Sequence, residues 1–382
     1  MNKKFKLAFV GGGVNSAVGD VHFIAAQMDG LFCVEAGCFS RHQDVNFETS
    51  ERWGINENRC YARWEEMLER EHRRIDAIVV LTPTPSHRDI VISALQAGFP
   101  VICEKALAST SQEAAEIHSA VEATSGFLSV TYNYTGYPMV RELREMIRQG
   151  RLGRIEQIHI EMPQEGFARL NRDGNPMVPQ QWRTQDGAIP TISLDLGVHL
   201  HHMIDFLTGE KPLSLVAKQS SLGRFQQVVD NTMALVQYTD GLECNVWFSK
   251  AALGHRNGLR VRMYGTEGSA EWFQMEPEVI HFNDNRGHQL RIDRANNDVL
   301  IAHQPRYNRF KSGHPAGFLE AFANLYADIA VDLARWSTGE SQISDFTFTT
   351  RHALEGLVMQ EAIECSARER RWVDLNLGEI NE

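Results

Sequence analysis

Phe5-Lys6-Leu7-Ala8-Phe9-Val10-Gly11-Gly12-Gly13-Val14-Asn15-Ser16 runs from a short apolar stretch directly into three glycines. Residues 5–10 read as a buried strand and the residues after Ser16 as a helix. Between them, Gly11-x-Gly13-x-x-Ser16 has the strand-to-helix context that makes a loose glycine pattern informative. Glycines let the backbone turn tightly and approach a pyrophosphate, whose charge is met by N–H groups at a helix N-terminus. Ser16 stands where a third small residue is expected, compact enough to keep the helix close to the sheet.

The same alternation continues downstream. Residues 33–39, 77–81, 101–103 and 127–130 read as further buried strands, with amphipathic segments such as 89–96 between them. Repeated strand–helix alternation implies a parallel sheet with helices on both faces. Thr110-Ser111-Gln112-Glu113 has the pattern of a capping box opening one of those helices.

After Tyr132 the rhythm changes to a helix near 138–149, a strand near 155–161 and a long polar loop to about Ile189. A helix then carries Asp195 and His199 and ends near Gly209. Residues 213–292 read as strands and turns, with Asp240-Gly241 a hairpin signal. Leu242, Cys244, Val246 and Phe248 alternate with Glu243, Asn245, Trp247 and Ser249, which puts one strand face on a core and the Trp247 side toward another subunit. Helices near 318–336 and 350–367 close the chain. The expected architecture is α/β plus α+β: a doubly wound domain over 1–132 and an open, mostly antiparallel sheet domain over 133–382, with the active site in the cleft between them.

Composition narrows the partners. With 382 residues and a formal net charge of −11, the chain lacks the basic balance that nucleic acid or anionic lipid demands, so a small molecule is the expected partner. The six cysteines form no C-x-x-C pair and no metal-ligand spacing, which reads as reduced thiols and a cytoplasmic location. No apolar run approaches the ~20 residues needed to cross a bilayer.

An acid and a histidine four residues apart, Asp195 and His199, fall on one face of a regular helix. His202 shares that face with them, while His201 points elsewhere; with Asp205 nearby but no clear ligand set, no metal is expected.

In the order of its motifs the chain resembles the Gfo/Idh/MocA oxidoreductases, which include inositol, glucose and other sugar dehydrogenases. The resemblance rests on the Gly11 loop, Thr82-Pro83-Thr84-Pro85-Ser86-His87, Glu104-Lys105 and Asp195-x-x-x-His199, and it spans nearly the whole chain. It implies a Rossmann domain and hydride transfer between a nicotinamide and a sugar or polyol carbinol carbon. By position Lys105, Asp195 and His199 match the family's catalytic residues, also in contact with substrate. Gly11, Gly13, Asn15, Ser16, Thr82, Pro83, His87 and Glu104 fall where the family binds its cofactor. Trp182-Arg183 resembles a pair beside the nicotinamide, and Asn133 and Tyr134 fall where cofactor and substrate meet.

The chemistry agrees with those roles. Removing hydride from a carbinol requires loss of the hydroxyl proton, and histidine is the natural base near neutrality. His199 takes that role, Asp195 orients the imidazole or binds a hydroxyl, Lys105 stabilises the developing alkoxide, and His202 contacts substrate.

Cofactor choice is read at the end of the second strand, Phe39-Ser40-Arg41, where a hydroxyl and a guanidinium lean toward NADP while Glu35 and Asp44 keep NAD open. One departure stands out: the family's proline after Glu-Lys is Ala106 here. A cis bond before alanine costs ~2.5–4 kcal/mol, so a backbone different from the family's is expected at Lys105.

Tyr132-Asn133-Tyr134-Thr135-Gly136-Tyr137-Pro138 and Gly313-His314-Pro315 resemble a subgroup of the family, with tyrosines suited to sugar recognition. The resemblance also implies a homodimer or homotetramer. Two other activities fit the same motifs: redox-neutral glycoside cleavage by oxidation and elimination, and a catalytically silent nucleotide sensor.

Overall fold

A computed structural model describes residues 4–340 and 344–377. The first unit runs to Gly136 and takes in Phe318–Leu354. Its elements are β1 (Phe5–Gly11), α1 (Gly19–Met28), β2 (Phe32–Cys38), α2 (Gln43–Arg52), α3 (Trp64–Glu71), β3 (Ala77–Leu81), α4 (His87–Gln96), β4 (Val101–Cys103), α5 (Ser111–Thr124) and β5 (Leu128–Val130). The five strands lie in the order β2-β1-β3-β4-β5, all parallel. Every residue of the central β3 is buried, as expected of a strand covered on both faces. The capping residue Thr110 accepts from the Glu113 N–H at 3.2 Å, while Glu113 reaches back to the N–H of Ser109, one residue before the cap.

The glycine loop differs from its sequence reading in one respect. α1 begins at Gly19, three residues after Ser16, and Gly19 is the residue that brings helix and loop together. A Cβ on Gly19 would lie 1.8 Å from the Gly12 carbonyl oxygen. Ser16 instead stays in the loop, its N–H donating to the Gly13 carbonyl at 2.7 Å.

The second unit comprises Tyr137–Gly317 and the chain from Glu355 on. It contains α6 (Pro138–Arg148), β6 (Ile155–Pro163), α7 (Val198–Thr208), β7 (Pro212–Ser220), β8 (Asn231–Tyr238), β9 (Glu243–Ser249), β10 (Arg260–Gly265), β11 (Gly268–Phe273), β12 (Val279–Asp284) and β13 (Gln289–Asp293). α8 (Phe318–Ser337) belongs to the first unit, α9 (Thr350–Glu369) begins there and passes into the second, and β14 (Val373–Asp374) ends the described sheet.

The nine strands of the second unit run β13-β12-β11-β10-β6-β9-β8-β7-β14, antiparallel except for β6 and β9. Asp240 and Gly241 both take positive φ, 54° and 73°, and join β8 to β9 as the sequence suggests. Cys244, Val246 and Phe248 are buried while Glu243 and Asn245 are exposed, so β9 puts one face on the core.

α8 is the main difference from the expected domain division. Its Phe322 and Tyr326 rings pack on His22 of α1, with centroids 4.8 and 5.8 Å away, and Tyr326 also meets Phe32. Gly136 lies so close to α8 that a Cβ would sit 2.1 Å from the Ala321 carbonyl oxygen. Residues 133–136 and α8 therefore pack into the first unit's core rather than the second's. Nothing in a linear pass marks an amphipathic helix as returning to an earlier sheet.

Candidate active site

In a parallel sheet all strands end on one edge, where open α/β folds bind their ligands. The loop after β1 carries Gly11, Gly13, Asn15 and Ser16; the loop after β2, Ser40 and Arg41; the loop after β3, Thr82 and Pro83, leading to His87; the segment after β4, Glu104 and Lys105; and the turn after β5, Asn133 and Tyr134. All of these predicted residues share the carboxyl edge of the first unit's sheet.

Local packing explains the glycines. Gly11 has φ +84°, and a Cβ there would lie 2.7 Å from the Thr82 nitrogen. Gly13 donates its N–H to the Phe39 carbonyl at 3.1 Å and abuts Thr49 of α2. The result is a bare backbone cradle of the kind a pyrophosphate needs. Asn133 is buried in the turn after β5, and its Nδ2 has no hydrogen-bond partner among the described residues. An orphaned buried amide on this edge, beside a glycine loop packed too tightly on β3 and α2 for any side chain, fits a dinucleotide.

Two predicted cofactor residues are committed elsewhere. His87 is buried, with Nε2 2.7 Å from the Thr82 carbonyl and Nδ1 2.9 Å from that of Ala106. Burial pushes its pKa down, against smaller opposing effects of those carbonyls and of the Glu104 charge. Glu104 accepts from His22 Nε2 at 3.0 Å and from Thr131 Oγ1 at 2.5 Å. Burial raises its pKa, but the hydrogen bond from His22, the nearby Lys105 ammonium and the bond from Thr131 outweigh it and leave the carboxyl below its ordinary range.

The peptide between Lys105 and Ala106 is cis, although the residue is not proline. The cis bond occurs here without the proline that lowers its cost. Lys105 itself is half-buried.

The cofactor-selecting strand end is also altered. Glu35 lies inside β2, where Arg59 Nη1 contacts it at 2.5 Å and Lys6 Nζ at 3.3 Å, so it is not an acid waiting for a ribose. Ser40 accepts from the His42 N–H at 3.1 Å; Arg41 and Asp44 are exposed.

In the second unit, Ser193–Gly197 forms a π-helical turn, and α7 starts only at Val198. Asp195 and His199 are therefore not successive turns of one regular helix, as the four-residue spacing suggests. Single π-turns of this kind recur at functional sites. Gly197 is required within it, because a Cβ would meet Gln360 Oε1 at 2.3 Å.

Asp195 Oδ2 accepts from both Arg183 Nη1 and Lys250 Nζ. Arg183 lies over the Trp182 ring at 4.4 Å, and Trp182 Nε1 donates to Gln180 at 3.0 Å. His199 and His202 are buried in α7. Asp205 is engaged by Lys211 Nζ at 2.7 Å, which also reaches Glu355 at 2.6 Å. Among the described residues no group of His, Cys, Asp and Glu is placed to hold a metal ion. Lys250 was missed by sequence reading; its only signal is a lysine directly following the buried end of β9.

Residues 5–132 match the oxidoreductase family with an NAD-binding Rossmann fold, and residues 140–271 match the GFO/IDH/MocA C-terminal domain. An uncharacterised oxidoreductase of Bacillus subtilis is 31% identical over 87% of this chain and 86% of its own. The chain belongs to the Gfo/Idh/MocA oxidoreductases. As a member of that family it is an NAD-binding oxidoreductase with a Rossmann unit and a sheet-rich second unit. A levoglucosan dehydrogenase of Pseudarthrobacter phenanthrenivorans is 26% identical over 57% of this chain and 58% of its own. Among solved structures of the fold, an inositol dehydrogenase homologue of Azotobacter vinelandii, complexed with NADH and myo-inositol, superposes with a TM-score of 0.89 at 27% identity, over 98% of both chains.

Proposed function

We propose that this oxidoreductase transfers a hydride between a nicotinamide dinucleotide and the carbinol carbon of a sugar, inositol or glycoside. The observation that carries the reading is the position of Lys105: it follows β4 on the same sheet edge as the glycine cradle after β1. The relatives named for inositol and levoglucosan support the substrate class.

The cofactor, when bound, supplies the hydride-accepting ring. The glycine loop Gly11–Gly13, which carries no side chains, would lie against its pyrophosphate, and Asn133 offers an unused amide. Arg41 at the end of β2, with Glu35 already neutralised by two cations, favours a 2′-phosphate and hence NADP. Lys105 donates to the carbinol oxygen and stabilises it as its charge grows. His199 takes the hydroxyl proton, Asp195 and His202 hold neighbouring hydroxyls, and Tyr134 packs against the ring. Arg183 and Lys250 both reach Asp195 Oδ2 and orient the carboxylate for this.

The outer face of the second unit's sheet supports self-association. Met233 and Leu235 are 53% and 52% exposed beside Trp247, along a groove of about 490 Å³. A homodimer or homotetramer would cover them, and Leu235→Glu would shift the species seen by light scattering toward monomer.

The test of the reaction is a panel of sugars, inositols and glycosides assayed by nicotinamide absorbance with NAD and NADP, beside Lys105→Ala. Reduced cofactor accumulating with a polyol, and lost in Lys105→Ala, is the expected result. Glycoside cleavage without net reduction would replace hydride transfer by oxidation and elimination, and parental rates in Lys105→Ala would remove Lys105 from the chemistry.

A further inference from the structure

Three side chains that the reaction does not use form a buried chain ending beside Lys105. Tyr326 of α8, His22 of α1 and Glu104 after β4 are 1%, 0% and 6% exposed. The Tyr326 hydroxyl lies 2.8 Å from His22 Nδ1, and His22 Nε2 lies 3.0 Å from Glu104 Oε1. Thr131 Oγ1 donates to the same Oε1.

The polarity of this chain follows from its ends. A carboxylate only accepts, so His22 must donate from Nε2, and neutral imidazole then has a lone pair on Nδ1. The Tyr326 hydroxyl supplies the donor that this lone pair needs. Tyr326 thereby fixes the His22 tautomer, and His22 fixes the Glu104 carboxylate. The Glu104 backbone is tied as well, its N–H donating to the Val80 carbonyl at 2.9 Å. Burying an ionised carboxylate costs several kcal/mol unless it is paired and bonded. A purely apolar contact between α1 and α8 would stabilise the unit without that cost, so the polar chain needs a reason. The adjacent residue gives one: Glu104, tied through its side chain to His22 and Thr131 and through its N–H to Val80, fixes the segment after β4 that carries Lys105.

We infer that Tyr326, His22 and Glu104 are positioning residues that fix the backbone at Lys105 and thereby the placement of its side chain. The inference rests on the catalytic reading of Lys105 for its significance, but its test does not.

The test uses the full-length protein with its lysines converted to 13C-dimethyl-lysine, the Lys105 signal being the one absent in Lys105→Ala. In His22→Ala and Tyr326→Phe the Lys105 resonance should shift while those of Lys211 and Lys218 stay fixed. His22→Gln, whose amide donates to Glu104 and whose carbonyl accepts from Tyr326, should return it toward the parent position. Where a substrate is found, kcat should follow the same order, with losses of up to about a hundredfold and KM retained. An unmoved Lys105 signal in folded His22→Ala or Tyr326→Phe overturns the inference, as does His22→Gln behaving like His22→Ala. If His22→Ala does not fold, Tyr326→Phe decides. A shifted signal together with full activity in Lys105→Ala would keep the relay and remove the catalytic reading.

Discussion

His87 places its two ring nitrogens between the carbonyl of Thr82 and the carbonyl of Ala106, the residue after Lys105. One imidazole thus ties the loop after β3 to the segment after β4, next to the cradle formed by Gly11. A neutral ring donates to one of those carbonyls; only the imidazolium donates to both. Burial favours the neutral form and moves the pKa below its ordinary value.

A folded-state pKa below the unfolded one means that the unfolded chain takes up the proton first. His87 therefore contributes stability above pH ~6.5 that is lost as pH falls through its depressed folded value. Thermal midpoints of the parent should drop as pH is lowered from about 6.5 to 5, and His87→Gln should flatten that slope while lowering the midpoint near neutrality. An identical slope in the variant would show that the ring is not the group titrating.

The approach of Gly19 to Gly12 makes a sharper prediction than the motif's usual third position does. A methyl group at Gly19 has no room, at 1.8 Å from a carbonyl oxygen, so helix and loop must separate. Gly19→Ala should weaken dinucleotide binding by at least about tenfold, or ~1.4 kcal/mol, in a calorimetric titration. Ser16→Ala should bind like the parent, because the Ser16 N–H that bonds Gly13 is retained. The reverse order of effects would restore Ser16 to the helix-packing role.

That contrast shows what was legible in the chain. β3 and β4 were readable because a strand buried on both faces is a continuous apolar run, and β9 because one face alternates with the other. The family resemblance singled out Lys105, Thr82 and Asn133, and each comes soon after a strand of the parallel sheet. The first helix's start was not readable, because Ser16 and Gly19 are both small and only the collision at Gly12 separates them. The π-turn at Asp195 was hidden for a related reason: one extra residue in a turn leaves no mark on an apolar pattern. Lys250 and His22 were missed because their partners, Asp195 and Glu104, lie 55 and 82 residues away. Local periodicity carries no information at that range.

Arg41 decides the cofactor if the exposed end of β2 meets the adenosine ribose. Hydrogen bonds to charged groups contribute about 1.5–3 kcal/mol, so Arg41→Ala should raise the NADP dissociation constant roughly ten- to a hundredfold. The NAD constant should change little, because no phosphate is present for the guanidinium to hold. Equal and unchanged constants for both cofactors would mark Arg41 as a solvated surface charge.

The Asp195 carboxylate faces two cations, Arg183 and Lys250, and the asymmetry predicts unequal variants. Removing Lys250 leaves the carboxylate still neutralised by Arg183. Removing the charge of Asp195 leaves two like charges converging on a neutral amide in a largely buried place. Asp195→Asn should therefore cost more stability than Lys250→Met, toward the ~3–5 kcal/mol typical of breaking a buried pair. The double variant should lose less than the sum, with a coupling of about 0.5–3 kcal/mol in urea midpoints. Turnover should fall in both single variants if Asp195 receives substrate as proposed, because Lys250 holds its carboxylate. Additive losses would mean that Lys250 and Asp195 act independently, and parental turnover in Lys250→Met would confine that lysine to stability.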